Sequence, residues 1–126
     1  MRILVYEHVS GGGYADKPLP LSVLSEGYAM LRGAVADFRA AGHEVAVLLD
    51  ARLSTLDPPI EAVDFVPVDS CRAAEVALKA VAAESDAVLV IAPETGGVLQ
   101  LLVETVERTA IKFIVFNLSS PAIVNG

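Results

Sequence analysis

The chain has 126 residues, enough for one domain and too few for two. A formal charge of −7 and a pI of about 4.6 set the electrostatics against a nucleic-acid or anionic-membrane role. Hydrophobic residues make up 54%, charged residues only 20%, and the mean hydropathy is +0.57. So apolar a small domain must cover both faces of its sheet, or bury an outer surface against a partner or a further domain.

The first strand is expected at Ile3 to Glu7, where aliphatic and aromatic residues run together before Gly11, Gly12 and Gly13. A loop from about His8 to Leu21 follows, closed by Pro18 and Pro20. Helix 1 is expected from Ser22, a residue type that caps helices. Its apolar stripe is Leu24, Tyr28, Leu31, Val35 and Phe38, and Gly42 stops it. Gly27 and Gly33 inside it weaken the helix locally and point to close packing on the sheet. Strand 2 is Val45 to Leu49, ending at Asp50. The stretch from Ala51 to Ala62 holds Pro58 and Pro59, has no apolar period, and reads as a loop.

Strand 3 is short, about Asp64 to Val68. Alanine-rich helix 2 runs from roughly Ser70 to Ala83, capped by Asp69 or Ser70. Strand 4, Ala87 to Ala92, is continuous and apolar, as central parallel strands are. After a turn through Gly97, helix 3 extends to Arg108 with Val98, Leu101, Leu102 and Val106 on one face. Strand 5 is Lys112 to Phe116. Right-handed crossovers then predict a three-layer, Rossmann-like α/β domain over residues 1–126. Its open parallel sheet has about five strands in the order 3-2-1-4-5, with helices on both faces. Strands 1 and 4 become neighbours where the winding reverses, and ligands of such sheets collect at that crevice.

Three polar loops are expected at this edge. The first carries Glu7, His8, Ser10, Gly11, Gly12 and Gly13. The second carries Glu94, Thr95, Gly96 and Gly97, and the third Asn117, Ser119 and Ser120. Glycines let backbone N–H groups approach a ligand, and the start of helix 3 favours a carboxylate or phosphate. The competing readings are a flexible surface loop at Gly11–Gly13 and a plain strand-to-helix turn at Gly96–Gly97. Glu7 and Glu94 form a possible carboxylate pair for an amine, against two solvated carboxylates at strand ends. The glycine triplet is neither GxGxxG nor GxxxxGK[ST]. His8 lacks a partner for a metal site, and beside Ser10 it makes no triad. His43 belongs to the opposite edge, so neither catalytic nor metal residues are expected. The single cysteine, Cys71, excludes an internal disulfide and suits a reducing cytoplasm. It reads as a small, partly buried residue at a helix start.

The stretches VYEHVSGGGYA, LPLSVLSEGYAMLRGAVADFRAAGHEVAVLLDARL and DAVLVIAPETGGVLQLLVETVE together resemble the N-terminal domain of ATP-grasp ligases, nearest the tyramine–L-glutamate ligase type of methanofuran biosynthesis. The resemblance implies a cytoplasmic reaction dependent on ATP and Mg²⁺. In it a carboxylate is activated as an acyl phosphate and captured by an amine. Glu7, Ser10, Gly11, Gly12, Gly13, Glu94, Thr95, Gly96, Gly97 and Asn117 would lie on the substrate side. ATP and Mg²⁺ would be gripped by further ATP-grasp domains, whose residues have no counterparts here. By itself the chain is then expected to be inactive and to bind neither tightly. The implied partners are a small carboxylate or amine substrate and either the remaining domains or a homodimer mate. No nucleic acid or membrane is expected. The alternative is a stand-alone small-molecule-binding or protein-interaction module. A flavodoxin-like domain would need a Ser/Thr-rich loop leading straight into helix 1, and the Tyr14–Leu21 insertion speaks against it.

Overall fold

The computed structural model describes residues 1–54, 60–62, 64–92 and 97–108, together with the backbone of 112–117. Five strands, β1 (Arg2–Glu7), β2 (Glu44–Asp50), β3 (Asp64–Val68), β4 (Ala87–Ala92) and β5 (Lys112–Asn117), alternate with helices α1 (Leu21–Ala40), α2 (Cys71–Ala83) and α3 (Val98–Glu107). The sheet runs β3-β2-β1-β4-β5 and every pairing is parallel. All strands therefore end at one edge, and the winding reverses between β1 and β4.

The period-two alternation of β1 builds both cores. Ile3 and Val5 face α1, where they meet Leu24, Tyr28, Leu31 and Val35 together with Val45, Val47, Leu89 and Ile91. Leu4 and Tyr6 face the other way, onto Ala74, Leu78 and Ala82 of α2 and Val106 of α3, beside Ala46, Leu48, Val88 and Val90. Strands buried on both faces account for the apolar composition. Edge strand β3 tolerates Pro67 because no neighbour needs its N–H on that side.

The helix ends show local chemistry. Helix α1 starts after Pro20 with no side-chain cap, so the expected Ser22 cap is corrected to a backbone start in which Leu24 N donates to Pro20 O at 2.9 Å. Its C-terminus closes at Gly42 (φ +90°). There Gly42 N donates to Arg39 O at 2.9 Å and His43 N to Phe38 O at 3.1 Å, while the His43 and Phe38 rings meet edge to face. In α2 the cap is Ser70, whose Oγ accepts from Ala73 N at 3.0 Å. In α3 three of the four expected face residues, Val98, Leu102 and Val106, pack toward the sheet, and the fourth does not. Leu101 stands 65% exposed, and Leu99 packs toward the sheet with Leu102 and Val106.

The two helix glycines separate. A Cβ on Gly27 would come within 2.6 Å of Glu7 Oε1, whereas Gly33 is exposed with open space around it. Close packing explains the first and not the second. Gly33→Ala should therefore stabilise the fold by about 1 kcal/mol through helix propensity. Gly27→Ala should destabilise it by about 1–2 kcal/mol, since overpacking outweighs the same propensity gain. Urea unfolding of both variants checks the pair, and equal effects would contradict this packing.

Candidate functional site

The site is built where β1 ends. Alternation turns Glu7 toward α1, and its side chain is fully buried. Its carboxylate is held from within. Oε2 accepts Val9 N–H at 2.9 Å, and Oε1 accepts Ser10 N–H at 2.8 Å and Ser10 Oγ–H at 2.6 Å. Three donors follow the carboxylate within three residues, so the chain folds back at once into a wide turn, Val9–Gly13. Burial raises the Glu7 pKa above the ordinary carboxylate value, against the lowering effect of these hydrogen bonds.

Glu7 is therefore not the solvated strand-end carboxylate weighed in the sequence, because it is buried and bonded to Ser10. The glycines do not form a loose surface loop, since Gly11 and Gly12 are buried. A Cβ on Gly11 would meet the Tyr6 ring at 2.7 Å. On Gly12 (φ +104°) it would meet Val68 at 2.5 Å, and on Gly13 the His8 ring at 2.3 Å. The triplet is a packing requirement, in which a backbone turn is pressed between side chains from both cores.

A second knot follows β2. Asp50, 1% exposed, receives Arg52 Nε at 3.0 Å and Nη2 at 2.7 Å, and also accepts Arg52 N–H at 3.0 Å. The same guanidinium donates to Tyr14 O at 2.7 Å and Lys17 O at 2.8 Å. Arg52 thereby clasps the strap 14–20 across the strand ends, with the bidentate geometry that arginine supplies. Asp16 holds the strap from the other side by accepting Cys71 N–H at 3.1 Å, and Tyr14 rests on the His8 ring at 5.6 Å. Arg52 pulls the Asp50 carboxyl below the usual range. Asp50, Arg52, Tyr14 and Asp16 were not singled out in the sequence. The available signal was the run LLDAR, an acid at a strand end two residues before an arginine.

The seam between β1 and β4 closes with His8 N donating to Ile91 O at 2.9 Å. Gly97 (φ +72°) caps α3 without a side-chain bond. Asn117 ends β5 opposite Ala92, and its strand leaves at this same edge. Glu94, Thr95, Gly96, Ser119 and Ser120 lie outside the described residues. His43 sits at the far edge, 3.2 Å from the Met1 amine. An apolar cavity of about 340 Å³ opens at the end of β2, walled by Tyr28, Leu53, Ile60, Phe65 and Pro67.

Among the described residues no group of three His, Cys, Asp or Glu side chains gathers to hold a metal ion. The Arg52 guanidinium is taken up by Asp50 and two carbonyls. No described helix is long and apolar enough to cross a membrane.

A doubly wound parallel sheet with a closed, internally bonded turn at its switch point defines a Rossmann-like α/β domain. The family model of the pre ATP-grasp 3 domain matches residues 43–123, more than half of the sequence, and the chain belongs to that family, which is associated with the N-terminal side of ATP-grasp enzymes. No curated protein and no solved structure matches the chain.

The two buried carboxylates have opposite pH signatures. Glu7 has a raised folded pKa, so its contribution is full below the unfolded value of 4.5 and declines as pH rises through the folded pKa. The stability difference between the native chain and Glu7→Gln should therefore be widest in acid and narrow with rising pH. Asp50 has a lowered pKa, so its contribution is present above 3.8 and is lost as pH falls through the folded value. Asp50→Asn should flatten that acid limb, as read by denaturant midpoints across pH. Separately, Arg52→Ala should bring new early proteolytic cuts between residues 14 and 20, mapped by mass spectrometry, with the strands still protected.

Proposed function

We propose that this chain forms the substrate side of an ATP-dependent carboxylate–amine ligase of the tyramine–glutamate type. In the proposed reaction the substrate carboxylate attacks the terminal phosphorus of ATP and releases ADP. The amine then attacks the resulting acyl phosphate, expels phosphate, loses a proton and leaves an amide. The observation that carries this reading is membership of the pre-ATP-grasp 3 family, joined to a switch point between β1 and β4.

Within that reading the residues divide by position. Glu7, Ser10, Gly11 and Gly12 shape a rigid floor from below, since they are buried. Gly13, half-buried, borders the mouth. Gly97 leaves the first N–H groups of α3 without a side-chain cap, which suits a substrate carboxylate. Glu94, Thr95, Gly96 and Asn117 are proposed to complete the rim. ATP and Mg²⁺ are assigned to other ATP-grasp domains.

Two measurements test the proposal. The purified chain incubated with ATP, Mg²⁺, glutamate and tyramine should release no ADP above the level without protein. In thermal-shift titrations glutamate or tyramine should stabilise the fold, by about 1.4 kcal/mol at ten times its Kd, and ATP alone should not. ADP release by the chain alone, or stabilisation by ATP and by neither other compound, would overturn it.

A further inference from the structure

Tyr6 and Glu7 are neighbours on β1 and so point to opposite faces. Tyr6 reaches under α2 and α3, where it is 3% exposed and its ring presses on Gly11. Among the described residues its hydroxyl forms no hydrogen bond, yet the residue lines a cavity of about 190 Å³ between the two helices. His8 lines the same cavity, and its Nδ1 is buried without a partner. Cys71 adds a thiol at the first position of α2, 3.5 Å from Gly13 O, while Leu78 and Leu102 supply apolar walls from either helix. Glu75 stands at the rim and is engaged by Lys79 at 3.3 Å.

Buried polar groups in native folds nearly always find a partner in protein or water, so an unpartnered hydroxyl on a 3% exposed tyrosine that lines a cavity marks a place where something else binds. The Tyr6 and His8 side chains add no charge to the cavity, and the Glu75 carboxylate at its rim is paired with Lys79. Burial pushes the Tyr6 phenol far up and pulls the His8 imidazole down, so both are neutral near pH 7. By volume the cavity holds about six water molecules at about 30 Å³ each, or a compact organic molecule of similar bulk.

We infer that the cavity between α2 and α3 is a binding site for an uncharged small molecule with a compact apolar body and one hydrogen-bonding group, its polar end against Tyr6 and its body between Leu78 and Leu102. The cavity shares Gly12 and Gly13 with the proposed substrate site, and the inference holds whether or not the chain serves a ligase, because its test reads binding and no turnover.

Phenol is the probe, with toluene and benzoate as controls for the polar group and for charge. Phenol should bind saturably with one site per chain, and should slow alkylation of Cys71, the single cysteine, by a small thiol reagent. Toluene and benzoate should bind more weakly. Tyr6→Phe should weaken phenol about fivefold to tenfold, the range for one lost hydrogen bond. The variant should be no less stable than the native chain, because the removed hydroxyl has no partner to leave behind. Unsaturable phenol binding, unprotected Cys71, equal affinity for toluene, or unchanged affinity in Tyr6→Phe would each overturn the inference. A Tyr6→Phe chain less stable than the native one would do the same, since it would reveal a hydroxyl already satisfied.

Discussion

The edge of this domain is organised by one buried carboxylate. Glu7 closes β1, accepts two backbone N–H groups and one hydroxyl from the next three residues, and lies under the bare Cα of Gly27. A carboxylate out of water survives only if its lone pairs are met, and here local backbone meets them. The cost of desolvation is recovered as geometry. The turn Val9–Gly13 has a single way to leave the strand, and α1 has a single depth at which to cross it.

That knot and the Asp50–Arg52 pair share the work of shaping the strand ends. Glu7 bonds only to its own turn. Arg52 spans a wider gap, joining the end of β2 to carbonyls of the strap at Tyr14 and Lys17. The first is buried and insulated from salt. The second has an exposed guanidinium and is open to screening. The floor of the site is consequently its firmest part, and the strap depends on one arginine.

The same alternation that buries Glu7 toward α1 sends Tyr6 beneath α2 and α3. The two polar groups meet different fates. Glu7 finds three donors, and the Tyr6 hydroxyl finds none among the described residues. One strand end thus supplies a closed structural knot on one face and an open chemical valence on the other.

Much of the architecture was legible before any coordinates. The apolar runs at residues 3–7, 45–49 and 87–92 identified β1, β2 and β4, and the stripe Leu24–Tyr28–Leu31–Val35 identified the buried side of α1. Gly42 marked the helix stop that it occupies in the structure. These are local signals, because burial period and chain reversal are properties of neighbouring residues. What sequence could not settle was the direction of polar side chains. Glu7, Ser10 and the three glycines read as an exposed ligand loop, since acids and glycines near a strand end usually meet water. The reach of Arg52 back across 35 and 38 residues to Lys17 and Tyr14 likewise has no local trace. Composition and periodicity determined the strands, the helices and the edge at which the strands end together. Only the tertiary structure decided which polar groups face inward, because that depends on whether distant backbone, here Gly27 of α1, comes close enough to exclude water.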